Sequence, residues 1–381
     1  MLYALDRNVA RGISSRFPPV TNRNRVTTGT DVLPYWLIFV LWAGMAIQTD
    51  RRRTQVAQVA FYVAAIIITA LFIGLRYEVG GDWAAYQHMY ETIFFLSLRG
   101  SLGVTDAGYA AVNWFAAQTG LGIALVNVTC AAIFMVGLGY LAWRQPNPAL
   151  ALLVAVPYLI FVVSMGYTRQ AAAIGFICLA VANSSEKSIW KIIVLIGLAA
   201  LFHKTAILIL PLLLIPILRR NIIYGAMGFL TFVIIFVAVL RDNSDQLVAN
   251  YVQSDYDSQG ALIRVSMNVI ASILFILLNK KIELPSFQKS YWMASAVLSL
   301  FSIPALALSS ASAGVDRISL YLIPLQIIVY ARLPYTLSNR GRALPSVLIG
   351  VIAYCFLVQF VWLNYADNAS YWLPYKSIMM Q

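Results

Sequence analysis

The sequence predicts an all-α fold, a polytopic transmembrane helical bundle. Of the 381 residues, 61% are hydrophobic and only 11% are charged, which is outside the range of soluble globular domains. The apolar runs have the length of helices and are separated by short charged loops, whereas strands of an outer-membrane barrel would alternate polar and apolar residues. We expect about twelve spans, within a range of about 10 to 14.

The apolar runs place the spans in chain order. They lie at residues 33–48, 56–75, 121–143, 149–164, 168–183, 190–202, 205–218, 222–240, 262–278, 290–308, 318–332 and 344–363. Several are shorter than the roughly 20 residues of a full crossing, so neighbours such as 149–164 and 168–183 are expected to meet below the membrane surface. Residues 1–31 form an Arg-rich tail, and residues 32–381 form a single transmembrane domain.

The charges of the loops predict the orientation in the membrane. If RRR at 51–53 is cytoplasmic, the loops of that side carry 14 cations and three acids, and the opposite loops carry eight cations and ten acids. This asymmetry is the positive-inside pattern, so the stretch GLRYEVGGDWAAYQHMY at 74–90 faces outward. The Arg-rich tail falls on the outer side against this pattern, and it is too long for the charged region of a signal peptide.

Four predicted spans carry a cation at an outward N-terminal end. The stretches are GYTRQAAAIGF with Arg169, FHKTAILIL with His203 and Lys204, GALIRVSMN with Arg264, and GVDRISLY with Arg317. A cation at a helix N-terminus is unfavourable by about 0.3 to 1 kcal/mol, unless an anion binds there. Together with Arg76, which ends the second span, these cations predict a polyanion site.

The alternative for each cation is that it snorkels to the interface or pairs with a nearby acid, as Arg317 can with Asp316. Arg169 is the strongest candidate for anion binding, because no acid lies within ten residues of it.

The stretch that follows Arg76 predicts an amphipathic helix at the interface. Gly80 and Gly81 allow a tight turn, and Trp83, Tyr86, Tyr90 and Phe94 then recur on one helical face. This face can lie on lipid headgroups or stack on sugar rings. Asp82 is either the N-cap of the helix or a general base, and both roles are compatible.

His203 is the second candidate base. Its neighbour Lys204 and the helix end both favour a neutral imidazole, which can accept a proton. Cys130, Cys178 and Cys355 lie inside apolar runs, and no His or Cys spacing indicates a metal site. We expect no metal and no cofactor, and the net charge of +12 is explained by membrane topology without a nucleic-acid partner.

Five stretches carry a resemblance to a known family. In order and spacing, RYEVGGDWAAYQHMY, GYTRQAAAIGF, FHKTA, DRISLY and YWLPYKSIM resemble the EpsG family of Wzy-like bacterial polysaccharide polymerases. The likeness covers about residues 33–381. It implies a glycosyltransferase that joins oligosaccharide repeat units carried on undecaprenyl pyrophosphate, at the outer side of the bacterial cytoplasmic membrane. The products of such enzymes are exopolysaccharide, capsule or O-antigen.

The resemblance also implies roles and partners. Arg169 and Arg317, with Arg76, Lys204 and Arg264, would hold the pyrophosphate, and Asp82 or His203 would take the proton of the acceptor hydroxyl. Trp83, Tyr86 and Tyr109 would stack on sugars. The partners would be the lipid-linked oligosaccharide donor and acceptor and membrane lipid, and a chain-length-regulating membrane protein is compatible with this set.

Two other functions stay open from the sequence. An enzyme similar to O-antigen ligases would use the same donor with another acceptor. A transporter of a lipid-linked glycan should show inverted repeats and charges near the middle of several spans, whereas here the charges gather at one face.

Overall fold

The computed structural model describes residues 29–48, 55–184, 189–218, 230, 260–308, 312–338 and 342–380. This part of the chain is a bundle of helices without a strand, which confirms the predicted fold class. The helices are α1 (Gly29–Ile47), α2 (Gln55–Gly74), α3 (Trp83–Phe94), α4 (Leu98–Ser101), α5 (Ala107–Thr119), α6 (Gly122–Trp143), α7 (Pro148–Gly166), α8 (Thr168–Ala182), α9 (Ile189–Phe202), α10 (Leu210–Leu218, after a 3₁₀ turn at Lys204–Ile209), α11 (Ala261–Leu278), α12 (Ser286–Leu308), α13 (Ser312–Ser319), α14 (Pro324–Thr336) and α15 (Pro345–Tyr365).

The predicted spans correspond to these helices. Seven helical segments in the described ranges are long and apolar enough to cross a membrane, including one that runs from α13 into α14 (Gly314–Thr336), and α1, α8, α9 and the α10 region are shorter apolar helices. The span predicted at 222–240 lies outside the described residues except for Leu230, as do RRR at 51–53 and the tail up to residue 28. The total of about twelve crossings therefore stays a prediction.

Helix α7 occupies the centre of the bundle. It carries no charge and is apolar on every side, which is the pattern of a helix surrounded by other helices. It packs against α1, α6, α14 and α15, and nearly all of its side chains are buried. Its segment Val156–Val163 is a π-helix, and the carbonyl oxygen of Phe161 in it accepts a hydrogen bond from Nε1 of Trp372 (3.0 Å).

Helix α8 is fixed against α6 by close approach of the two backbones. A Cβ atom added to Gly137 of α6 would lie 1.9 Å from the carbonyl oxygen of Gly175 in α8. Only glycine permits this distance, and small residues at helix interfaces allow dense packing inside membranes. The start of α8 therefore has a well-determined position.

The α7–α8 turn is as short as predicted, because Tyr167 alone separates Gly166 from Thr168. The loop after α2 packs on this turn. Gly80 has a φ of +112°, and a Cβ atom there would lie 2.2 Å from the carbonyl oxygen of Met165. Only glycine fits this position, both for its backbone conformation and for space.

The C-terminal segment fastens the same loop. The backbone N–H groups of Tyr77 and Gly80 donate to the carbonyl oxygens of Lys376 and Tyr371, both over 2.9 Å. The N–H group of Ile378 donates to Leu75. This arrangement places the beginnings of α3 and α8 at one end of the bundle.

Candidate functional site

Arg169 lies in the first turn of α8, as the sequence predicts, and the protein holds its guanidinium group on one side. Nη1 donates to Oγ1 of Thr105 and to Oδ2 of Asp106, both over 2.8 Å. The Nε atom is buried and makes no hydrogen bond with the described residues, and the hydroxyl of Tyr86 also interacts with the guanidinium group. The edge formed by Nε and Nη2 is one of the bidentate edges with which arginine binds phosphate oxygens.

Asp106 is the ion-pair partner of Arg169, a pairing not predicted from the sequence. It lies 63 positions away in the chain and is 5% exposed. Its Oδ1 also accepts from the backbone N–H of Lys204 (3.2 Å), and its Oδ2 lies 3.6 Å from Nδ1 of His203. Burial raises the pKa of Asp106, but the imidazole of His203 and the positive field of Arg169 outweigh burial, so the net pKa is lowered. The carboxylate is therefore a fixed negative charge.

His203 is buried beside this carboxylate. Neither of its ring nitrogens has a hydrogen-bond partner in the described part of the chain, and both atoms are shielded from solvent. Burial lowers its pKa, and the opposing effect of Asp106 does not reverse the shift. His203 is thus neutral, as the sequence predicts, but its nitrogens are not accessible to a substrate in this conformation.

Asp82 occupies the N-cap position of α3, but its side chain makes no capping hydrogen bond. The interpretation of Asp82 as a capping side chain is therefore wrong for this structure. The residue is partly exposed, and its carboxylate makes no hydrogen bond or ion pair with the residues that the structure describes. Burial raises its pKa, and the positive field of Arg317, followed by that of Arg169, reduces the increase without cancelling it.

Arg317 is the arginine whose positive field acts most strongly on Asp82. It lies in α13, near the start of the helical segment Gly314–Thr336, in agreement with the prediction that it stands at the N-terminal end of a span. The helix begins slightly earlier than predicted, at Ser312, and continues through a 3₁₀ turn into α14. The carbonyl oxygen of Arg317 accepts from Nε2 of Gln170 (2.6 Å), the residue after Arg169, which fixes α13 to the start of α8.

Arg264 lies in the first turn of α11, as predicted, and forms a bidentate ion pair with Asp316. Its Nε and Nη2 donate to the two carboxylate oxygens over 2.7 and 2.6 Å. The Asp316 carboxylate is therefore engaged by Arg264, and not only by its sequence neighbour Arg317. The side chains of Arg264 and Asp316 are only 14% and 5% exposed, so this pair is a buried brace between α11 and α13.

Arg76 is not placed to bind a substrate. It is 2% exposed, and Nε, Nη1 and Nη2 donate to four acceptors, namely the carbonyl oxygens of Val79 and Ile73 and the side chains of Asn127 and Thr168. Four of its five N–H donors are used by the protein and the group is buried, so it is not accessible to a pyrophosphate. Its proposed role is corrected to a structural one, which is to hold the loop before Asp82.

The predicted aromatic surface divides into two parts. Tyr86 and Tyr109 are 3% and 0% exposed and pack against each other beneath Arg169, whose Cζ atom lies 5.9 and 6.0 Å from their ring centres. Their rings offer no free face to a sugar, because α3 packs against α5 and buries both rings between the two helices. Trp83 is partly exposed and stacks edge-on with Tyr77, so of the three predicted sugar-stacking residues only Trp83 keeps this possibility.

Sequence reasoning missed Asp106 and Tyr167. Asp106 precedes an apolar helix without a charge of its own, and this isolated acid on the predicted outer side was the available signal. Tyr167 lies in the α7–α8 turn, where the charges of Asp82 and Asp316 act on its hydroxyl and burial raises its pKa. Among the described residues no group of three His, Cys, Asp or Glu side chains forms a set of metal ligands.

The site thus consists of the Asp82 carboxylate and two arginines on different helices, Arg169 and Arg317, whose positive fields act on it. Lys204 lies next to it through its backbone contact with Asp106. A model of the family described as EpsG matches residues 59–377, which is most of the chain and includes every residue of this site. No curated protein and no solved structure matches the sequence.

Proposed function

We propose that this chain, which belongs to the EpsG family of Wzy-like polymerases, polymerises oligosaccharide repeat units carried on undecaprenyl pyrophosphate. Family membership indicates a membrane polysaccharide polymerase, and the seven long apolar segments indicate a multi-pass membrane protein. The lipid carrier, the direction of transfer and the residues that perform it are our proposal.

The observation that carries the proposal is that the guanidinium group of Arg169 is anchored on one side. Nη1 is held by Thr105 and Asp106, whereas the buried Nε makes no hydrogen bond with the described part of the chain, and the side chain as a whole is 24% exposed. A buried N–H group without a partner costs about 1 to 3 kcal/mol, and a phosphate oxygen satisfies it with a charge-assisted hydrogen bond. Arg317 adds a second positive charge at the same place.

The proposed reaction transfers a growing glycan from pyrophosphate to a hydroxyl. The bond between the anomeric carbon and the pyrophosphate oxygen breaks, and negative charge accumulates on the pyrophosphate as it leaves. Arg169 and Arg317 stabilise this charge. The acceptor oxygen forms the new bond to the anomeric carbon, and its proton moves to the Asp82 carboxylate.

Of the two candidate bases, the geometry favours Asp82. Its carboxylate is partly exposed and uses none of its acceptor capacity on the described residues, and its raised pKa makes it a stronger base than an ordinary aspartate. The nitrogens of His203 are buried. Lys204 and Trp83 complete the proposed site, the first near the pyrophosphate and the second under a sugar ring.

Arg169→Lys tests the proposal with purified protein and a synthetic lipid-linked repeat unit. Lysine keeps the charge but loses the bidentate edge, so chain formation should fall by about 30- to 1,000-fold, equivalent to about 2 to 4 kcal/mol. Arg99→Lys is the matched control, because Arg99 is exposed in α4 and makes no contact with the site. Normal chain length and rate from Arg169→Ala would remove Arg169 from the reaction.

A deletion strain separates this function from transport. Without a polymerase, single repeat units should remain on the lipid carrier and long surface chains should disappear. Loss of all lipid-linked units would indicate an earlier transfer step, and retention of units on the cytoplasmic side would indicate transport. Correct lipid-linked polymer that is not passed to its final acceptor would indicate a ligase.

The proposed site faces the outer side of the bacterial cytoplasmic membrane, and cysteine labelling tests this placement. Phe95→Cys lies at the C-terminal end of α3, in the loop that begins with the proposed site, and Lys280→Cys lies beyond α11, and both positions are exposed. The three native cysteines are buried and give a low background. A membrane-impermeant reagent should label position 95 and not position 280, and the reverse result would contradict the proposed orientation.

A further inference from the structure

Two helices near the site begin with an aspartate that does not cap its helix. Asp82 precedes α3 and Asp106 precedes α5, and neither side chain accepts a hydrogen bond from its own first turn. The N-cap side chains of Ser97 and Asn147 in the same protein do accept such bonds. A carboxylate at the N-cap position normally accepts a hydrogen bond from the first turn of its helix. We therefore look outside each helix for the reason that neither aspartate does so.

For Asp106 the cause is visible in its contacts. Its carboxylate turns toward residues that come much later in the chain, Nη1 of Arg169 (2.8 Å) and the backbone N–H of Lys204 (3.2 Å). It is 5% exposed, and a buried charge is stable only when it is paired and hydrogen-bonded. Both oxygens are therefore engaged in joining α5, α8 and the start of the α10 region.

The contact determines how Arg169 is oriented. The two hydrogen atoms of Nη1 are used by Asp106 and Thr105, so the guanidinium plane cannot rotate without breaking both bonds. The rings of Tyr86 and Tyr109 lie against the same group at about the contact distance of a cation–π pair. Neither Asp106 nor Thr105 holds Nη2, which is left to contact a ligand, whereas Nε is buried without a partner among the described residues.

Arg169 is a closer partner of this carboxylate than His203 is. Nη1 of Arg169 lies 2.8 Å from Oδ2 of Asp106, whereas Nδ1 of His203 lies 3.6 Å from the same oxygen. The negative charge of Asp106 is thus directed mainly at Arg169.

We propose that Asp106, with Thr105, is the positioning residue of the site and orients the guanidinium group of Arg169 toward the pyrophosphate of the lipid-linked donor. The inference rests on the proposed function and adds a residue that touches no substrate. Asp106 acts through Arg169, and this distinguishes it from Asp82, whose carboxylate is the proposed base.

A double-mutant cycle tests the proposal in the full-length purified protein. Asp106→Asn keeps the shape and one acceptor but removes the charge, and it should lower kcat by about 100-fold, as a misplaced catalytic group does. In an Arg169→Lys background the same change should have an effect of no more than about twofold, because the group that it positions is already lost. Independent, multiplicative effects of the two substitutions would overturn the positioning role.

A binding measurement supplies a second readout that a merely structural residue would not move. Inhibition by undecaprenyl pyrophosphate should weaken in Asp106→Asn in proportion to kcat, while the KM for the acceptor stays unchanged. Asp106→Glu should recover part of the loss, because it restores the charge. If Asp106→Asn lowers both the thermal midpoint and kcat but leaves inhibition by undecaprenyl pyrophosphate unchanged, the proposal is contradicted.

Two further arms keep the test decisive. If Asp106→Asn does not accumulate in membranes, Thr105→Val removes the other Nη1 contact and should give the same coupling with Arg169→Lys. If the wild-type protein makes no polymer but binds inorganic pyrophosphate with coupling between Asp106 and Arg169, the proposed function fails and the positioning role stands. If polymerisation depends on Arg169 and not on Asp106, only the positioning role fails.

Discussion

The two arginine–aspartate pairs at the site end of the bundle have the same chemistry and different geometry. Arg264 and Asp316 share two hydrogen bonds, in which Nε and Nη2 of the arginine meet both carboxylate oxygens. Arg169 and Asp106 share one, from Nη1, and Asp106 spends its other oxygen on the backbone of Lys204. In the first pair the Nε–Nη2 edge of the arginine is used by the aspartate, whereas in the second pair the aspartate does not use this edge.

The difference shows two ways in which a membrane protein stabilises charges that it buries. A bidentate pair that uses the Nε–Nη2 edge neutralises the charges that it buries and serves as a brace. A pair that uses Nη1 alone anchors the arginine and does not occupy its Nε–Nη2 edge, which is the basis of the proposed role of Arg169.

Reversal of each pair should separate the two roles most strongly. The double variant Arg169→Asp with Asp106→Arg places a carboxylate against the pyrophosphate, so polymerisation should fall by about 1,000-fold or more. The double variant Arg264→Asp with Asp316→Arg keeps a brace of opposite polarity and should recover most of the activity that either single change removes. The rate of chain synthesis by purified protein is measured for both double variants. Recovery of activity in the Arg169/Asp106 swap would contradict the distinction between an anchoring pair and a brace.

Breaking the brace from one side should affect stability before chemistry. Arg264→Met leaves Asp316 buried without its partner, which should lower the free energy of unfolding by about 3 to 5 kcal/mol. Arg264→Met combined with Asp316→Leu removes both charges and should restore thermal stability measured in detergent. If Arg264→Met unfolds normally and only loses activity, Arg264 belongs to the binding site and the comparison is wrong.

The pH dependence of the rate should distinguish Arg317, whose charge acts on Asp82, from Arg264, whose charge does not. A base works only when deprotonated, so activity should decline as the pH falls through the raised pKa of Asp82. Arg317→Gln removes the largest of the positive fields that lower this pKa, so the acid limb of the rate profile should move to higher pH. Arg264→Gln should leave the limb where it is, because Arg264 is not among the charges that act on Asp82.

The smallest effect is expected at a third ion pair of the same end. Lys376 and Glu78 meet over 2.6 Å but are each 48% exposed. Exposed pairs contribute about 0 to 1 kcal/mol, so Lys376→Met should change the thermal midpoint only slightly and the polymerisation rate not at all. A large loss would show that the contact between the C-terminal segment and the loop before Asp82 depends on this pair and not on its backbone hydrogen bonds.

The sequence alone determined the fold class and the position of most helices. Hydrophobic length and helical spacing are local properties of a chain in a membrane, so every predicted span within the described ranges corresponds to a helix. The placement of Arg169 and Arg264 in the first turn of a helix followed from the same local pattern. The resemblance carried by five short stretches agreed with the family model over residues 59–377.

Only the tertiary structure decided which cations are free to act. In the sequence Arg76, Arg169, Arg264 and Arg317 all stand at the edge of an apolar run. Their partners in the structure come from distant segments, Asp106 for Arg169 and Asp316 for Arg264, and Arg76 is held by neutral acceptors that include Thr168. The choice of partner depends on helix packing across 50 to 90 positions of the chain, because an ion pair forms between side chains that meet in space, and no local pattern records that meeting.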